Sequence, residues 1–303
     1  MAIITSSKLL TKIKAKAFLA SNNAGFSNQD ILDLATDELL DTIVPEIMEV
    51  HEGFLLYSEE VAVAANTGQV RIPDRAIGGS IRHIYWVDAN NTRKVIDRLD
   101  QEDKESFSGS SGQVRNFIIE GNYISLLPAP SSAGTLVISF PFRPSQIVEE
   151  SKCKQIQAID YDTRTVSVAS IPSSWVLPTE FDCVNYESGN EILYYNHAGT
   201  IAGNNIQFDQ PIGSMKVGDW ICLPREAPVA MVVEELHSYL VQLTAAEIIK
   251  QRGQTEQYKS SKEKLENIRK RIPLLINNRV QSKPFQTGRP NPFFNVGRGG
   301  FSR

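Results

Sequence analysis

Four histidines and two pairs of aspartates are the residues whose side chains could support catalysis or bind a metal ion. The histidines lie in unrelated sequence contexts: His51, His83, His197 and His237. Nucleophilic catalysis needs a serine or cysteine beside such a base, and the chain has no Gly-x-Ser-x-Gly motif. It also has no phosphate-binding loop, dinucleotide fingerprint or His-Glu-x-x-His zinc motif. We therefore expect a protein that is not an enzyme and binds no cofactor.

The aspartate pairs have an ordinary structural interpretation. Asp160 and Asp162 fall in a predicted hairpin turn, and Asp100 and Asp103 fall in a charged loop. Carboxylates are ligands for calcium and magnesium, but aspartate is also a common residue of turns and exposed loops. We interpret both pairs as turn or loop residues and predict no metal site.

Residues 279–303 have an unusual composition that indicates a binding partner. They contain arginine, phenylalanine, proline and glycine but no acidic residue. The net charge of the chain is −4, of which residues 267–303 contribute +8 and residues 1–266 therefore −12. A basic extension on an acidic body indicates an acidic partner, either nucleic acid or an acidic protein surface. The candidate binding residues are Phe285, Arg289, Phe293, Phe294, Arg298 and Phe301.

Composition limits the class of protein. The 303 residues are 41% hydrophobic and 22% charged, which is typical of a globular protein with roughly two domains. No apolar run reaches the ~18 residues that span a bilayer, and lysines interrupt the N-terminal stretch where a signal peptide is unbroken. The three cysteines, widely spaced, fit neither a disulfide framework nor a zinc site: Cys153, Cys183 and Cys222. We expect a soluble protein in a reducing compartment.

An acidic amphipathic helix is predicted from residue 27 to about residue 54. Ser27 and Asp30 form a capping-box pattern, apolar residues follow at steps of three and four, and Pro45 should kink or split the helix. The other face carries seven acids: Asp30, Asp33, Asp37, Glu38, Asp41, Glu46 and Glu49. A solvated helix surface explains such a face without any function.

The rest of the chain alternates between strand and helix patterns, which predicts an α+β fold. Short apolar runs predict strands up to residue 142, and no helical period occurs from 152 to 223. A long helix of roughly 65 Å is predicted from Pro228 to Arg271, with its first half in the core and its second half projecting. The predicted organisation is an N-terminal arm (1–26), a helix-and-strand core (27–150) with a small antiparallel sheet, an inserted all-β domain (151–224), the long C-terminal helix (225–272) and an extended tail (273–303).

This order of elements resembles the head-to-tail adaptor, or connector, proteins of tailed bacteriophages over about three quarters of the chain. The resemblance rests on four stretches: "SNQDILDLATDELLDTIVPEI", "GQVRIPDRAIGGSIRHIYWVD", "YISLLPAP" with "GTLVISFPFRP", and "LPREAPVAMVVEELHSYLVQLTAAEIIKQRGQTEQYKSSKEKLENI". The β unit of residues 152–223 departs from the simpler adaptors, in which the strands lead almost directly to the last helix.

The resemblance implies a structural protein of the virion, assembled in the host cytoplasm. It implies a ring of twelve copies beneath the portal, which extends the channel for genome packaging and ejection and attaches the tail or nozzle proteins. DNA would pass through without sequence-specific binding, along a negative wall for which Asp33, Asp37 and Asp41 are the candidates. The Arg/Phe residues of the tail would bind the portal.

Two other functions remain open. Arginine, glycine and phenylalanine in a polar tail are also typical of single-stranded nucleic-acid-binding proteins. Alternatively, the protein is another ring or tail component whose β domain binds a neighbouring protein or a glycan. The aromatic residues for such a surface are Trp175, Trp220, Tyr194 and Tyr195, although aromatics of a small β domain more often form its core.

Overall fold

The computed structural model describes residues 4–19, 25–50, 53, 55–102, 104, 111–175, 180–187 and 191–276. The predicted α+β class is confirmed: the described chain combines helices near both of its ends, several small sheets and a six-stranded antiparallel barrel. The helices are α1 (Ser6–Lys16), α2 (Asn28–Glu38), α3 (Val44–Val50), α4 (Glu234–Gln251), α5 (Thr255–Arg269) and α6 (Ile272–Ile276). The strands before the barrel are β1 (Leu56–Val63), β2 (Gln69–Arg71), β3 (His83–Val87), β4 (Arg93–Val95), β5 (Asp97–Arg98), β6 (Ser111–Gly112), β7 (Asn116–Glu120), β8 (Tyr123–Leu127), β9 (Ala129–Pro130), β10 (Gly134–Pro141) and β11 (Gln146–Ile147). The barrel strands and the strand after them are β12 (Lys154–Asp160), β13 (Thr165–Val168), β14 (Glu180–Val184), β15 (Ile192–Ala202), β16 (Asn205–Phe208), β17 (Trp220–Cys222) and β18 (Glu226–Ala227).

The acidic helix runs over residues 28–50 and passes its proline by changing helix type. The predicted capping box is present: Ser27 Oγ accepts the N–H of Asp30 at 3.1 Å, and the Asp30 carboxylate accepts the N–H of Ser27 at 2.8 Å. Between α2 and α3, residues Leu39–Ile43 form a π-helical turn. This wider turn accommodates Pro45, which has no N–H to donate and whose ring crowds the carbonyl four residues earlier.

The segment predicted as an N-terminal arm, residues 1–26, contains helix α1, which packs into the helical core. Leu9 and Ile13 are buried, and the N–H of Ser6 donates to the carbonyl of Pro228 at 2.7 Å. The apolar residues of α1 lie on the face that meets α2 and α4, while its lysines lie mainly on the opposite face. Burial of that apolar face stabilises a helix that is short and rich in lysine.

The predicted single C-terminal helix is two helices, and its second half does not project. Gly253, with φ of 71°, forms the turn between α4 and α5, and this left-handed conformation ends α4. Helix α5 folds back along α4, and Arg269 forms an ion pair with Glu46 on α3, with Nε 2.8 Å from Oε1. The helix also begins at Glu234 instead of Pro228, because the Pro228 carbonyl and Val229 pair with the chain before α1.

Two four-stranded sheets, ordered β1-β10-β3-β4 and β2-β8-β7-β5, form the middle of the protein. Strand β10 is paired on both sides and buried on both faces along most of its length, which explains its continuous apolar sequence. It begins at Gly134, where a Cβ atom would clash with the ring of the buried Trp86. These sheets share one core, into which the barrel also contributes residues.

The residues between Cys153 and Leu223 contain a closed antiparallel barrel in the order β12-β13-β16-β15-β14-β17. Its strands alternate as the sequence predicts; in β13, Val166 and Val168 face the interior while Thr165 and Ser167 are more exposed. The barrel has its own core, which includes Phe181 and Phe208. Its outer face is also covered, since Val184, Ile192 and Trp220 belong to the core of the sheets.

We predict that the barrel folds without the rest of the chain but with reduced stability. A closed barrel has no free sheet edge and has its own interior, so residues 152–225 expressed alone should give a dispersed amide NMR spectrum. Val184, Ile192 and Trp220 would then be exposed to water, so the fragment should melt below the full-length protein. A collapsed amide spectrum would contradict this prediction.

Candidate functional site

The acids of α2 and α3 divide into residues bonded within the protein and residues that face solvent. Asp30 completes the capping box. Asp33, one of the three predicted channel residues, accepts hydrogen bonds from the side-chain amides of Gln29 and Gln146, each at 2.8 Å. Asp33 therefore ties α2 to β11, and its carboxylate is already partnered within the protein.

Asp37 and Asp41, the other two predicted channel residues, are exposed and lie one helical turn apart. A groove of about 270 Å³ beside α2 is lined by Asp33 and Asp37, and also by Arg143 and Arg225. These arginines come from the β10–β11 loop and from the turn before β18. The surface around Asp37 is consequently mixed in sign, and Asp41 lies outside the groove that contains the arginines.

Glu46 holds three helices together. Its side chain is 14% exposed, accepts a hydrogen bond from the Tyr239 hydroxyl at 3.1 Å and pairs with Arg269. Arg269 was one of the basic residues assigned to the extension, and the structure places it in this contact within the fold. Glu38 is half-buried and accepts a hydrogen bond from Thr42; burial raises the pKa of its carboxyl above the ordinary value.

The six residues predicted to bind a partner lie outside the part of the chain that the structure describes: Phe285, Arg289, Phe293, Phe294, Arg298 and Phe301. Their role stays a prediction from the sequence. Helix α6, which ends at Ile276, packs against α3 and is the last element described before them.

The four aromatics considered as a binding surface of the β domain pack inward: Trp175, Trp220, Tyr194 and Tyr195. The indole of Trp175 donates to the Lys152 carbonyl at 3.0 Å, and the Tyr194 ring packs on His197 with centroids 4.6 Å apart. The Tyr195 hydroxyl donates to the Glu59 carboxylate, which joins the barrel to β1. These four side chains therefore pack in or against the hydrophobic cores, and Tyr195 also joins the barrel to the sheet that contains β1.

Three other apolar side chains of the barrel are exposed, and the sequence analysis missed them. Tyr161 and Tyr186 are about half exposed, and Val217 is 64% exposed. Both tyrosines contact the segment that contains Val217: the Tyr161 hydroxyl donates to the carbonyl of Met215 at 2.9 Å, and the Tyr186 ring lies beside Gly218. Their common location depends on the barrel closing, so the sequence carried no local signal for it.

The aspartates considered as metal ligands have structural roles or lie in loops. The Asp160 carboxylate accepts the N–H groups of Asp162 and Thr163, and hydrogen bonding from Thr163 lowers the pKa of Asp160. Asp100 is exposed, and Asp103 lies outside the described residues. Within the described ranges, no three His, Cys, Asp or Glu side chains are placed to share a metal ion.

The three histidines that the structure describes do not converge on one site. His83 is exposed on β3, whereas His197 and His237 are buried, and burial lowers the pKa of both. His51 lies outside the described residues. In the part of the chain that the structure covers, no helix is both long and apolar enough to cross a membrane.

Among the ion pairs of the described residues, the most deeply buried one lies between the sheets and the barrel, and we call it the neck pair. Arg75 lies in the turn after β2 and Asp182 lies on β14, and both side chains are almost completely buried. Arg75 Nη1 donates to Asp182 Oδ2 at 3.1 Å. Nη2 donates to Ser145 Oγ at 2.7 Å and to the Arg143 carbonyl at 3.0 Å, and the guanidinium lies 4.4 Å from the centroid of the Phe142 ring.

Asp182, like Arg75, has hydrogen-bond partners besides its counter-ion. Its carboxylate also accepts the N–H of Asn196 at 3.0 Å and the N–H of Arg225 at 2.8 Å. Burial raises the pKa of Asp182, and Arg75 together with these two N–H groups acts in the opposite direction. A charged residue between buried neighbours in "EFDCV" is the sequence signal that could have indicated such a pair, although nothing local identifies Arg75 as its partner.

Comparisons with known proteins give no assignment. No protein-family model matches this chain, and no curated protein matches it.

We predict that breaking the neck pair destabilises the protein severely. Asp182→Ala leaves the Arg75 guanidinium buried without its counter-ion, which typically costs about 3–5 kcal/mol. Urea denaturation should show a decrease of that size in the free energy of unfolding. The double variant Arg75→Met/Asp182→Leu should recover part of it, because it removes both charges.

A matched control is the exposed pair of Arg71 and Asp74, joined at 2.9 Å near the same turn. Asp74→Ala should change the free energy of unfolding by less than about 1 kcal/mol, since solvent screens exposed ion pairs. Equal losses for Asp74→Ala and Asp182→Ala would contradict the importance of the neck pair.

Proposed function

We propose that this protein is a head-to-tail adaptor of a tailed bacteriophage, which forms a ring of twelve copies beneath the portal, extends the DNA channel and attaches the tail. The observation that carries the proposal is the division of charge and apolar residues along the chain. Residues 279–303 combine basic residues with four phenylalanines and no acid, whereas residues 1–266 have a net charge of −12.

An acidic body is suited to a DNA channel. A wall of negative charge repels the polyanion and lets it pass without adhesion. Asp41 is exposed on the α2–α3 segment, and Asp37 lies on the same exposed surface beside Arg143 and Arg225. Asp41 is therefore the better wall residue of the two, and Asp33 contributes less because it is bonded to Gln29 and Gln146.

The helical hairpin of α4 and α5 supports side-by-side packing of copies. Helix α4 is the core element, and α5 lies over it with only Ser261 buried among its own residues. The outer surface of α5 carries acids and lysines in similar number, such as Glu263 and Lys264. A surface of both signs is suited to pairing with the neighbouring copy of a ring.

The tail is suited to an acidic and apolar acceptor such as the portal. Burial of each phenylalanine against a partner contributes roughly 1.5–3 kcal/mol, before the entropy of ordering the backbone is subtracted. The prolines and glycines of residues 284–300 disfavour a helix or strand in the free chain. We infer that the segment becomes ordered when it binds.

We predict that deletion of Gln281–Arg303 abolishes attachment to the portal and leaves the melting temperature nearly unchanged. Co-sedimentation with purified portal rings and thermal melting measure the two effects. Changing the four phenylalanines to serine should weaken attachment strongly but less than the deletion does, because the basic residues remain. If the truncated protein still attaches normally, the tail is not the portal-binding segment.

The same truncation separates the adaptor from a single-stranded nucleic-acid-binding protein. A nucleic-acid-binding tail would bind an oligonucleotide with an affinity that decreases steeply with salt, and it would need no protein partner. Strong, tail-dependent binding to a single-stranded oligonucleotide without attachment to the portal would favour that function.

We also predict a role for Asp41 in DNA passage. Asp41→Lys reverses a charge on the proposed wall, so assembled particles should eject DNA more slowly while the purified protein keeps its stability. Glu60→Lys, at an exposed position of strand β1, is the matched control and should leave ejection unchanged. Equal ejection rates for Asp41→Lys and the unmodified protein would exclude Asp41 from the wall.

A further inference from the structure

Two cysteines face each other where the chain enters and leaves the barrel. Strands β12 and β17 are antiparallel, with Lys154 opposite Ile221. One step along this register places Cys153 opposite Cys222, and Cys222 in turn lies opposite Asp182 of β14. Cys153, Cys222 and Asp182 of the neck pair therefore lie in one row across β12, β17 and β14.

The geometry of the two cysteines suits a covalent bond. Residues directly opposite on antiparallel strands have Cα atoms about 4.5–5.5 Å apart, within the roughly 4.4–6.8 Å that a disulfide spans. Cys153 and Cys222 are both free and buried, and they belong to the same core cluster. The register and the shared cluster therefore place the two thiol groups next to each other.

The third cysteine lies on the other side of the barrel wall. Cys183 follows Asp182 on β14, so its side chain points to the opposite face of the strand, and it packs in the barrel interior with Phe181 and Ile221. The barrel wall therefore separates Cys183 from the other two thiols.

We propose that Cys153 and Cys222 are an oxidisable pair, a modification site at which a low-molecular-weight disulfide forms a Cys153–Cys222 bond that locks the barrel closed. The thiolate of one cysteine attacks a sulfur of the small disulfide and releases one small thiolate. The second cysteine thiolate then attacks the protein sulfur of this mixed disulfide and releases the other. The protein loses two protons and two electrons, and the small disulfide is reduced to two thiols.

The consequence follows from the position of the bond. It would link the residue just before the first barrel strand to the last residue of the final barrel strand, and so close a loop of about seventy residues. A cross-link over a long loop stabilises the folded state mainly by restricting the unfolded chain. Because both thiols are buried, we expect the reaction to be slow in the folded protein and to require opening of the barrel at this point.

The experiment uses the full-length protein, incubated with oxidised glutathione in mildly denaturing urea and then transferred to buffer. Iodoacetamide blocks the remaining thiols, and peptide mass mapping identifies cross-links. We expect one linked pair of peptides containing Cys153 and Cys222, with a mass two hydrogens below the reduced pair. The oxidised protein should melt several degrees above the reduced protein, and dithiothreitol should reverse the shift.

Cysteine variants give the controls. Cys183→Ala should keep both the cross-link and the thermal shift, whereas Cys153→Ala should lose both. Should Cys153→Ala fail to fold, the peptide map of the unmodified protein still decides the question. A map without the Cys153–Cys222 link, or a link that leaves the melting temperature unchanged, overturns the proposal. The portal is not needed, so failure here would leave the proposed adaptor function untouched.

Discussion

The ion pair between Arg75 and Asp182 joins the sheets to the barrel beside the apolar core that the two share. The sheets and the barrel each have a hydrophobic core, and the pair lies between them with five hydrogen bonds to other groups. Removing two charges from water is costly, so these partners offset desolvation more than they add stability. What the pair provides is a single orientation, since a shifted barrel would leave one charge buried without a partner.

Other contacts between the sheets and the barrel depend on that orientation. The chain enters the barrel after β11 and returns as β18, and these two strands pair in parallel, with Ile147 opposite Ala227. The Arg225 N–H donates to Asp182 from the turn before β18, so the carboxylate fixes the exit of the chain as well as the barrel. The same strand register places Cys153 opposite Cys222. The helices are held together independently, by the contacts of Glu46 with Tyr239 and Arg269.

Much of the local structure could be predicted, and most of the long-range structure could not. The capping box at Ser27 and the alternating strands of the barrel are patterns of neighbouring residues, and both predictions are confirmed. Helix α1 was expected to be an arm because its partner, α4, lies more than 200 residues away in sequence. Gly253 could be identified in the sequence as a weak helix former. That the helix ends there depends on the packing of α5 against α4, which the sequence does not show. The acidic face was predicted from its own seven acids, and Arg143 and Arg225 come to lie beside it only through the fold.

The adaptor function requires copies of this chain to assemble coaxially with a portal. Cryo-electron microscopy of the full-length protein mixed with purified portal rings tests that requirement most directly. We expect a closed ring of copies on one end of the portal, with a continuous central channel and density for the tail against the portal surface. If the protein stays monomeric and the portal rings stay unoccupied even at high protein concentration, the account is contradicted.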